Sequence, residues 1–550
     1  MTDRAAEGRL ALCVAVVFSK DRPLQLDGAL RALRHHLLDP ESLAVKVIWT
    51  ASSWRNSELY RRLGNEHPYA ELIEEKDFKA QLIAATLGYQ NVLFVVDDTI
   101  FVRPFSVASA AAVLTQDQHV LGFSFRLGRN IDYCYTQNRA QSPPDWRPRA
   151  DGTLAFRWVG ADADFGYPIE VSSSLYRSVD VRPLLKDLRY RNPNTLEAAL
   201  AGTAGTFSAS RPDLACLNVS AAFSAPVNVV QGVFVNRAGD EVPQSAPALA
   251  EAFRMGMRLD VEALAGFTTR SPHQEIRLPL KRRGPTIPLV SVVIPCFKQA
   301  DYLPSAIESV VRQTIPDWEI VVVDDGSPDE TAQVFERCAG LHPDRRMSLI
   351  RQSNMGVAAA RNAGIARSLG IYVLPLDADD EVAETMLELT SELLDQDPSI
   401  AFVYTDAVHL RGDTIHVVPA EDFDPSRECE INQPNYAALF PRSTWETAGG
   451  YNSNMVWGHE DWDFWLSCVD HSLLGRRVPQ PLFRYRVRPD TRYSTALEHD
   501  RELLDLLRRN HPALFSLRMR AMRLMGHLSR RIAWWVRGGL WTKLRPPSVR

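Results

Sequence analysis

The sequence lacks a long apolar run, a metal-binding cysteine pattern and a surplus of basic residues. No stretch reaches the roughly 18 apolar residues of a membrane-spanning helix, which excludes an integral membrane protein. The 7 cysteines lie far apart without a Cys-x-x-Cys pair, so we interpret them as reduced core residues of a cytosolic protein. The 62 Lys and Arg against 67 Asp and Glu give a net charge of −5, so we expect no nucleic-acid partner.

The composition and the order of apolar segments predict two α/β domains. Hydrophobic residues make up 45% and charged residues 23% of the 550 residues, as in an ordinary globular chain. Strand-like runs near residues 12 and 289 each begin the same pattern of apolar run, polar turn and amphipathic stretch. A proline-rich, basic stretch at 269–288 separates them and is typical of a linker. We therefore predict domains at 1–268 and 289–510.

The apolar run at 10–18 has two interpretations. It resembles the hydrophobic region of a signal peptide, with Arg4 and Arg9 before it. However, the run is short, Asp3 and Glu7 dilute the positive charge, and no small-residue cleavage site follows. We therefore favour a buried first β-strand.

A basic tail is predicted at 511–550. It carries nine arginines and lysines and no acidic residue, interleaved with apolar residues and the tryptophans Trp534, Trp535 and Trp541. A basic amphipathic helix of this kind is typical of segments that lie on anionic membrane surfaces. The alternative is a C-terminal helix that packs on the second domain with a solvated basic face.

Carboxylates stand at the ends of two strand-like runs in the second half. Asp324 and Asp325 close one β-branched run, and Asp377 and Asp379 close the next. In open parallel sheets, ligands bind beyond the carboxyl ends of the strands, so both pairs are expected to face one crevice. Two such carboxylates suit a hard divalent cation that keeps positions open for phosphates. Each pair taken singly also fits a tight turn or the start of a helix.

Five motifs together resemble one enzyme family. They are VVIPCF at 292–297, VVVDDGS at 321–327, NMGVAAARN at 354–362, DAD at 377–379 and GHEDWD at 458–463. In this order and spacing, residues 289–490 resemble the inverting family 2 glycosyltransferases. The resemblance implies the Rossmann-like GT-A fold of nucleotide-diphospho-sugar transferases. With the pattern of the first half, the expected fold class is α/β, with two tandem GT-A-like domains and a basic helical tail.

The resemblance also implies a donor site and a metal site. The implied donor-binding residues are Pro295, Asp324, Asp325, Asn354, Gly356, Arg361 and Asp377. Asp379, together with Asp377, would bind a Mn²⁺ or Mg²⁺ ion that bridges the donor diphosphate. Such an ion stabilises the nucleoside diphosphate as it leaves.

The last motif implies the catalytic base. By resemblance, Asp461 removes the proton of the acceptor hydroxyl, with Glu460 as the alternative base or as an orienting partner. The alternative interpretation of these acids is a helix N-cap. Trp457 and Trp462 offer flat faces to an acceptor sugar, although tryptophans at this spacing are as often core residues.

Three departures from the family pattern qualify these expectations. Lys298 replaces an asparagine that the family often has, and Arg488 stands where many members have a histidine metal ligand. The third protein ligand is therefore open, and Arg488 is a candidate for contacting the diphosphate instead. The sequence has no Gln-x-x-Arg-Trp motif, a hallmark of processive synthases in the family. We therefore expect a non-processive transferase.

The first half repeats the opening pattern but diverges at its candidate site. Asp97 and Asp98 follow a strand-like run, as Asp377 and Asp379 do, and are candidate metal ligands. The second run ends at 49–53 without an acid, so base and ribose recognition must differ. Stretches at 167–173, 192–197 and 227–231 resemble parts of bacterial transferase-like domains; base candidates are Asp162, Asp164 and Glu170. Catalysis and a role in acceptor binding or scaffolding both remain open for this half.

These observations predict a metal-dependent inverting glycosyltransferase, with a second active domain as one interpretation. The expected partners are a nucleotide-diphosphate sugar, a glycan or lipid-linked acceptor and, through 511–550, an anionic membrane surface. We expect a cytoplasmic protein that associates peripherally with the inner membrane face during surface-polysaccharide assembly. The alternative is a non-catalytic glycan- or nucleotide-sugar-binding scaffold. A nucleotidyltransferase would need a glycine-rich phosphate loop, which the sequence lacks.

Overall fold

The computed structural model describes residues 12–230, 237–239, 244–412, 414–488 and 496–516. The chain divides into two compact units, Met1–Ile287 and Pro288–Arg550. The nine basic residues of the predicted tail lie outside the described residues, which end at 516. Within the described ranges, no helix combines the length and the hydropathy needed to cross a bilayer.

The first unit alternates strands and helices along the chain. Its strands are β1 (Cys13–Lys20), β2 (Leu43–Thr50), β3 (Ala70–Glu74), β4 (Asn91–Val96), β5 (Thr99–Phe101), β6 (Val120–Ser124), β7 (Tyr133–Cys134), β8 (Arg139–Ala140), β9 (Arg147–Pro148), β10 (Leu154–Arg157), β11 (Ser174–Arg177), β12 (Asp213–Cys216), β13 (Ala222–Ser224), β14 (Met257–Leu259) and β15 (Leu280–Arg282). Its α-helices are α1 (Pro23–His36), α2 (Trp54–Glu66), α3 (Phe78–Ala85), α4 (Val107–Gln116), α5 (Ser178–Asp187), α6 (Pro193–Ala201) and α7 (Ala246–Arg254). Short 3₁₀ turns occur at Pro40–Ser42, Ala163–Gly166 and Ala204–Phe207.

The second unit has the same alternation. Its strands are β16 (Val290–Cys296), β17 (Trp318–Asp324), β18 (Arg346–Arg351), β19 (Tyr372–Pro375), β20 (Glu381–Val382), β21 (Ile400–Arg411), β22 (Thr414–Val418), β23 (Phe440–Pro441) and β24 (Leu474–Arg486). Its helices are α8 (Leu303–Val311), α9 (Thr331–Leu341), α10 (Val357–Arg367), α11 (Met386–Gln396), α12 (Arg442–Ala448), α13 (Glu460–Asp470) and α14 (Asp500–Asn510).

The main sheet of the first unit has the order β3-β2-β1-β4-β11-β6-β12-β10-β9. The first four strands are parallel, β11 runs antiparallel to both neighbours, and β12 is parallel to β6. β1 is buried from Cys13 to Ser19 and lies between β2 and β4. This confirms the prediction of a buried first strand, since burial on both faces requires a continuous apolar run.

The second unit repeats this strand order in two sheets. One sheet has the order β18-β17-β16-β19-β23, and the other has the order β20-β24-β21-β22. β23 is antiparallel to β19, β24 is parallel to β21, and an antiparallel bridge joins Val403 to Leu439. Each unit therefore has four parallel strands in the order 3-2-1-4, then an antiparallel strand, then a parallel pair. The expected α/β fold class with two GT-A-like units is confirmed.

In the second unit, helix α10 packs closely on the strands β16 and β17. α10 begins after Gly356, whose φ of 86° suits glycine, and it crosses β16 and β17. A Cβ at Gly364 of this helix would stand 2.3 Å from Cγ1 of Val293. The absent side chain therefore lets α10 approach the sheet closely, which brings its Arg361 to the carboxyl ends of the strands.

The stretch predicted as a linker, 269–288, is largely packed within the first unit. Thr269 and Ser271 are buried, and β15 pairs antiparallel with β14. The division between the units falls after Ile287. The composition of this stretch predicted an exposed linker. Buried hydroxyl groups and a short pair of strands produce no apolar periodicity, so the sequence pattern could not show that the stretch is packed.

Candidate active site

The predicted donor residues gather at the carboxyl ends of β16, β17 and β19. Pro295 lies in β16 opposite Val323 of β17. Asp325, just after β17, is 3% exposed and binds the loop that precedes α10. Its carboxylate accepts hydrogen bonds from the backbone N–H groups of Met355 and Gly356, both at 2.9 Å. Asp325 therefore fixes the shape of this side of the crevice.

Asp324 and Asn354 have different surroundings. Asp324 is buried, accepts a hydrogen bond from the backbone of Ser327 at 2.8 Å and lies 3.4 Å from Arg351. It therefore stabilises the turn after β17. Asn354 is exposed on the loop beside it, and Gly326 lets this turn approach that loop, because its Cβ would stand 2.8 Å from the Asn354 nitrogen.

Arg361 links two of the predicted motifs. Its Nη2 donates to Oδ1 of Asp377 at 2.7 Å, and its Nη1 donates to Oε1 of Glu460 at 3.0 Å. Its guanidinium lies over the rings of Tyr436 and Tyr451. Burial opposes the charge of Arg361, but Asp377 and Glu460 outweigh it and hold its pKa well above the ordinary value. The crevice thus contains a permanently charged arginine.

Asp461 and Glu460 begin α13 on the other side of Arg361. Glu460 is engaged by Arg361, as an orienting partner would be, whereas Asp461 is half-buried and accepts a hydrogen bond from Nδ2 of Asn432 at 3.0 Å. Burial and the neighbouring Glu460 raise the pKa of Asp461, while Arg361 and Asn432 oppose this. A carboxylate with a raised pKa is suited to accepting a proton.

The three acids at 377–380 have unequal partners. Oδ2 of Asp379 lies 2.5 Å from Nη2 of Arg488. Asp380 accepts hydrogen bonds from the Tyr436 hydroxyl and, at 2.8 Å, from the backbone of Arg486. Burial and the charge of Asp377 raise the pKa of Asp379, and Arg488 counteracts them. Arg488 therefore contacts the acid that was expected to bind the metal.

The acids of this crevice fit a divalent cation. Asp377 and Asp379 supply carboxylate oxygens, which Mn²⁺ and Mg²⁺ prefer, and a cation would relieve the repulsion between them. Asp380 is committed to other partners. No group of three or more metal-ligating side chains occurs in the part of the chain that the structure describes. A cation held by Asp377 and Asp379 would therefore take its remaining ligands from donor phosphates and water.

The two tryptophans near α13 differ in exposure. Trp462 is 8% exposed, packs with Leu466, Leu503 and Leu507, and donates its indole N–H to the Glu428 carbonyl at 2.7 Å. This packing differs from the expectation of a flat face open to sugar. Trp457 is 41% exposed and stacks on His499 with ring centroids 4.4 Å apart.

Sequence reasoning missed the loop that supplies Asn432 and Tyr436. The Tyr436 hydroxyl accepts a hydrogen bond from the Asp377 backbone N–H at 3.1 Å and donates to Asp380, while Asn432 holds Asp461. The signal for these residues is the polar stretch Asn-Gln-Pro-Asn-Tyr at 432–436, just before β23. It does not disclose which acids the side chains contact.

The first unit contains a separate cavity of about 820 Å³ at the carboxyl ends of β1, β2 and β4. Asp97 and Asp98, the candidate metal ligands of this unit, line the cavity, and Arg22 forms ion pairs with both of them. Nη1 of Arg22 lies 3.0 Å from Oδ1 of Asp97 and 3.5 Å from Oδ2 of Asp98. Ser19 also donates to Asp97 at 2.8 Å. One guanidinium therefore faces both carboxylates, and burial together with the charge of Asp97 still raises the pKa of Asp98 to about 6.

Strand order and the acidic crevice together define the second unit as a glycosyltransferase domain of the GT-A type. Comparison with known proteins agrees. The family model described as "Glycosyl transferase family 2" matches residues 291–437. A PGL/p-HBAD biosynthesis glycosyltransferase of Mycobacterium bovis (strain BCG / Pasteur 1173P2) is 32% identical over 195 residues, covering 34% of this chain and 73% of the relative.

More distant similarities extend to larger enzymes. Chondroitin synthase of Pasteurella multocida (strain Pm70) is 28% identical over 183 residues, which is 33% of this chain and 19% of the relative. The chain thus spans about a fifth of the length of that relative. The solved mannosyltransferase PcManGT from Pyrobaculum calidifontis is a distant structural neighbour, with 19% identity and a TM-score of 0.31, covering 47% of this chain and 82% of that one. The chain belongs to glycosyl transferase family 2.

Proposed function

We propose that the second unit is a metal-dependent, inverting and non-processive glycosyltransferase. It moves a sugar from a nucleoside diphosphate donor to a hydroxyl of a glycan or lipid-linked acceptor. The observation that carries the proposal is the Arg361 bridge between Asp377 and Glu460. This bridge holds the acids expected at the donor diphosphate beside Asp461, the candidate base.

Asp461 performs the proton transfer in this proposal. The acceptor oxygen attacks the anomeric carbon from the face opposite the diphosphate, and Asp461 takes the hydroxyl proton. The bond from the anomeric carbon to the phosphate oxygen breaks, and the nucleoside diphosphate leaves with the electron pair. Asn432 holds one oxygen of Asp461, and the charge of Glu460 is balanced by Arg361. Attack from the opposite face inverts the anomeric configuration.

Asp377 and Asp379 are the residues that would hold the divalent cation, which supplies Lewis-acid stabilisation to the leaving diphosphate. Arg488 adds a fixed positive charge beside Asp379. A fixed guanidinium that neighbours phosphate oxygens forms charge-assisted hydrogen bonds to them. Arg488 therefore adds positive charge to a site whose two candidate metal ligands, Asp377 and Asp379, already face Arg361 and Arg488 in the protein.

We also propose an acceptor, a cellular location and a second transfer site for this enzyme. The absence of a Gln-x-x-Arg-Trp motif supports addition of one or a few sugars, and similarity to a chondroitin synthase supports a polysaccharide acceptor. A cytoplasmic location with the basic tail at 511–550 on an anionic membrane face would bring the enzyme to a lipid-linked acceptor. The cavity of the first unit supports a second transfer site, so the chain is bifunctional in this proposal.

Nucleoside diphosphate release from a panel of UDP-, GDP- and dTDP-sugars tests the proposal. Wild type is compared with Asp379→Ala and Asp461→Asn, each with Mn²⁺ or EDTA. The matched control is Asp422→Asn, whose side chain is 93% exposed. We expect the Mn²⁺-dependent release to fall by about 100-fold or more in both site variants and to persist in the control. NMR of a transfer product is expected to give the anomer opposite to that of the donor.

Two outcomes contradict the proposal. Mn²⁺-dependent release that survives in Asp461→Asn would remove that residue from the role of base. Donor binding without any release across the panel would favour a non-catalytic nucleotide-sugar-binding scaffold.

A further inference from the structure

The cavity of the first unit has the position of a transferase site but a different set of charges. It lies beyond the carboxyl ends of parallel strands, where open α/β sheets bind their ligands. Its volume of about 820 Å³ is within the range of small-molecule sites. The acids expected to bind metal there, Asp97 and Asp98, are instead paired with Arg22.

Arg22 is held rigidly in this place. Besides contacting Asp97 and Asp98, its Nε donates to Oδ1 of Asn228 at 2.8 Å and its Nη2 donates to the Asn228 carbonyl. Asp97 is 4% exposed and also accepts hydrogen bonds from Ser19 Oγ and the Lys20 backbone. A divalent cation would have to displace a guanidinium that is 11% exposed and is held by Asp97, Asp98 and Asn228 together. The residues present therefore do not fit a metal in this unit.

The shared strand order identifies the place of a base in the first unit. In the second unit, β23 is followed by α12, then by α13 with Asp461, and then by β24. In the first unit, β11 is followed by α5, then by α6, and then by β12. The helix that corresponds to α13 is therefore α6, and its Glu197 lines the cavity.

Two other acids near the cavity, Glu170 and Asp164, are held by neighbouring side chains or backbone groups, and Asp98 faces Arg22. Glu170 accepts hydrogen bonds from the backbone of Ser172 and Ser173 and faces Arg126. Asp164 is bound by Gln141. Burial and the charge of Glu170 raise the pKa of Glu197 to about 7. The charge of Arg126 and a hydrogen bond from the Val171 backbone act in the opposite direction and lower this pKa. Glu197 is thus a half-buried carboxyl that faces the cavity and gains or loses a proton near neutral pH.

We propose that the first unit is a second glycosyl-transfer site that works without a divalent cation, with Glu197 as its general base. This inference rests on the proposed bifunctionality of the chain and adds the residues and the cation requirement. The ligands are a nucleoside diphosphate sugar and an acceptor hydroxyl.

The step balances without a metal. The acceptor oxygen bonds to the anomeric carbon as Glu197 takes its proton, and the bond from that carbon to the phosphate oxygen breaks. The electron pair leaves with the nucleoside diphosphate. Lys20 and Arg191 also line the cavity and supply positive charge for the diphosphate, while Arg22 offsets part of the repulsion from Asp97 and Asp98.

The test uses the full chain carrying Asp461→Asn, which silences the second unit. Release of nucleoside diphosphate from UDP-, GDP- and dTDP-sugars is measured in EDTA. We expect release from at least one donor, and we expect Glu197→Gln in this background to lower it by about 100-fold without changing donor affinity. The matched control is Glu41→Gln, an exposed glutamate of the same unit.

The possible outcomes separately test the existence of the second site, its independence of metal and the role of Glu197 as base. Loss of all release in Asp461→Asn, while wild type retains Mn²⁺-dependent release, overturns the second site but leaves the proposed function of the second unit intact. Residual release that requires Mn²⁺ overturns the metal-free mechanism, and release unaffected by Glu197→Gln overturns the assigned base. If wild type is also silent, calorimetry decides: Asp325→Ala protein in EDTA is expected to bind UDP, GDP or dTDP, and no binding overturns the inference.

Discussion

Arg361 and Glu460 stand 99 positions apart in the sequence, yet Nη1 of one lies 3.0 Å from Oε1 of the other. The same guanidinium binds Asp377 at 2.7 Å. One buried cation therefore holds the strand end expected at the donor against the helix that begins with the candidate base. Stability and catalysis of the second unit should both depend on it.

Replacing Arg361 by methionine is expected to destabilise the second unit by about 3 kcal/mol, because two acids lose their buried counter-charge. Urea denaturation followed by tryptophan fluorescence measures the change in the unfolding transition. Arg476→Met, at an arginine whose side chain is 56% exposed, is the control and should change stability little. Equal effects of the two substitutions would contradict the importance of the bridge.

Replacing Arg488 by histidine should tighten divalent-cation binding several-fold. The change removes a permanent positive charge 2.5 Å from Asp379 and provides a neutral imidazole that can bind a metal. The measurement is the Mn²⁺ concentration that gives half-maximal turnover. Arg484→His, at an arginine in β24, which ends shortly before Arg488, and 3.8 Å from Glu381, is the control. Weaker Mn²⁺ activation in Arg488→His would mean that Arg488 does not compete with the cation.

Replacing Asn432 by leucine should move the acid limb of the kcat/KM profile to higher pH. The hydrogen bond from Asn432 favours the ionised form of Asp461, so its loss raises the pKa of Asp461 further. A base acts only when it is deprotonated, so activity is lost at a higher pH as the solution is acidified. Asn454→Ala, at an exposed asparagine, should leave the profile unchanged. An unshifted limb in Asn432→Leu would argue against Asp461 as the titrating base.

Replacing Glu428 by glutamine should make the free energy of unfolding of the second unit depend less on pH. Burial raises the pKa of Glu428 from 4.5 to about 8, despite hydrogen bonds from Gln433. Its contribution to stability is therefore fully present below about pH 4.5 and is lost as pH rises towards 8, because the unfolded chain ionises first. Urea denaturation at pH 5 and pH 8 should show a smaller loss for the glutamine variant than for wild type. Parallel losses in both proteins would contradict the assignment.

The sequence alone located the acidic crevice of the second unit through local patterns. β-branched runs such as 290–296 and 318–324 must be buried on both faces, so they predict parallel strands, and the acids after them must lie at one sheet edge. Asp325, Asp377 and Asp379 are therefore found where the motifs predicted them. The resemblance of the GHEDWD motif to the family also implied that α13 begins beside these acids.

Only the tertiary structure decided which charged groups meet. The pairing of Arg22 with Asp97 and Asp98, and of Arg488 with Asp379, joins residues separated by whole strands and helices. The burial of Trp462 and the cavity position of Glu197 depend in the same way on how distant elements pack. Local sequence determines secondary structure through backbone preferences and the periodic burial of apolar side chains. Which charged side chains become partners depends instead on the chain connections that bring the ends of distant strands together. For this reason the sequence identified the acids, and the fold determined which of them are paired with an arginine.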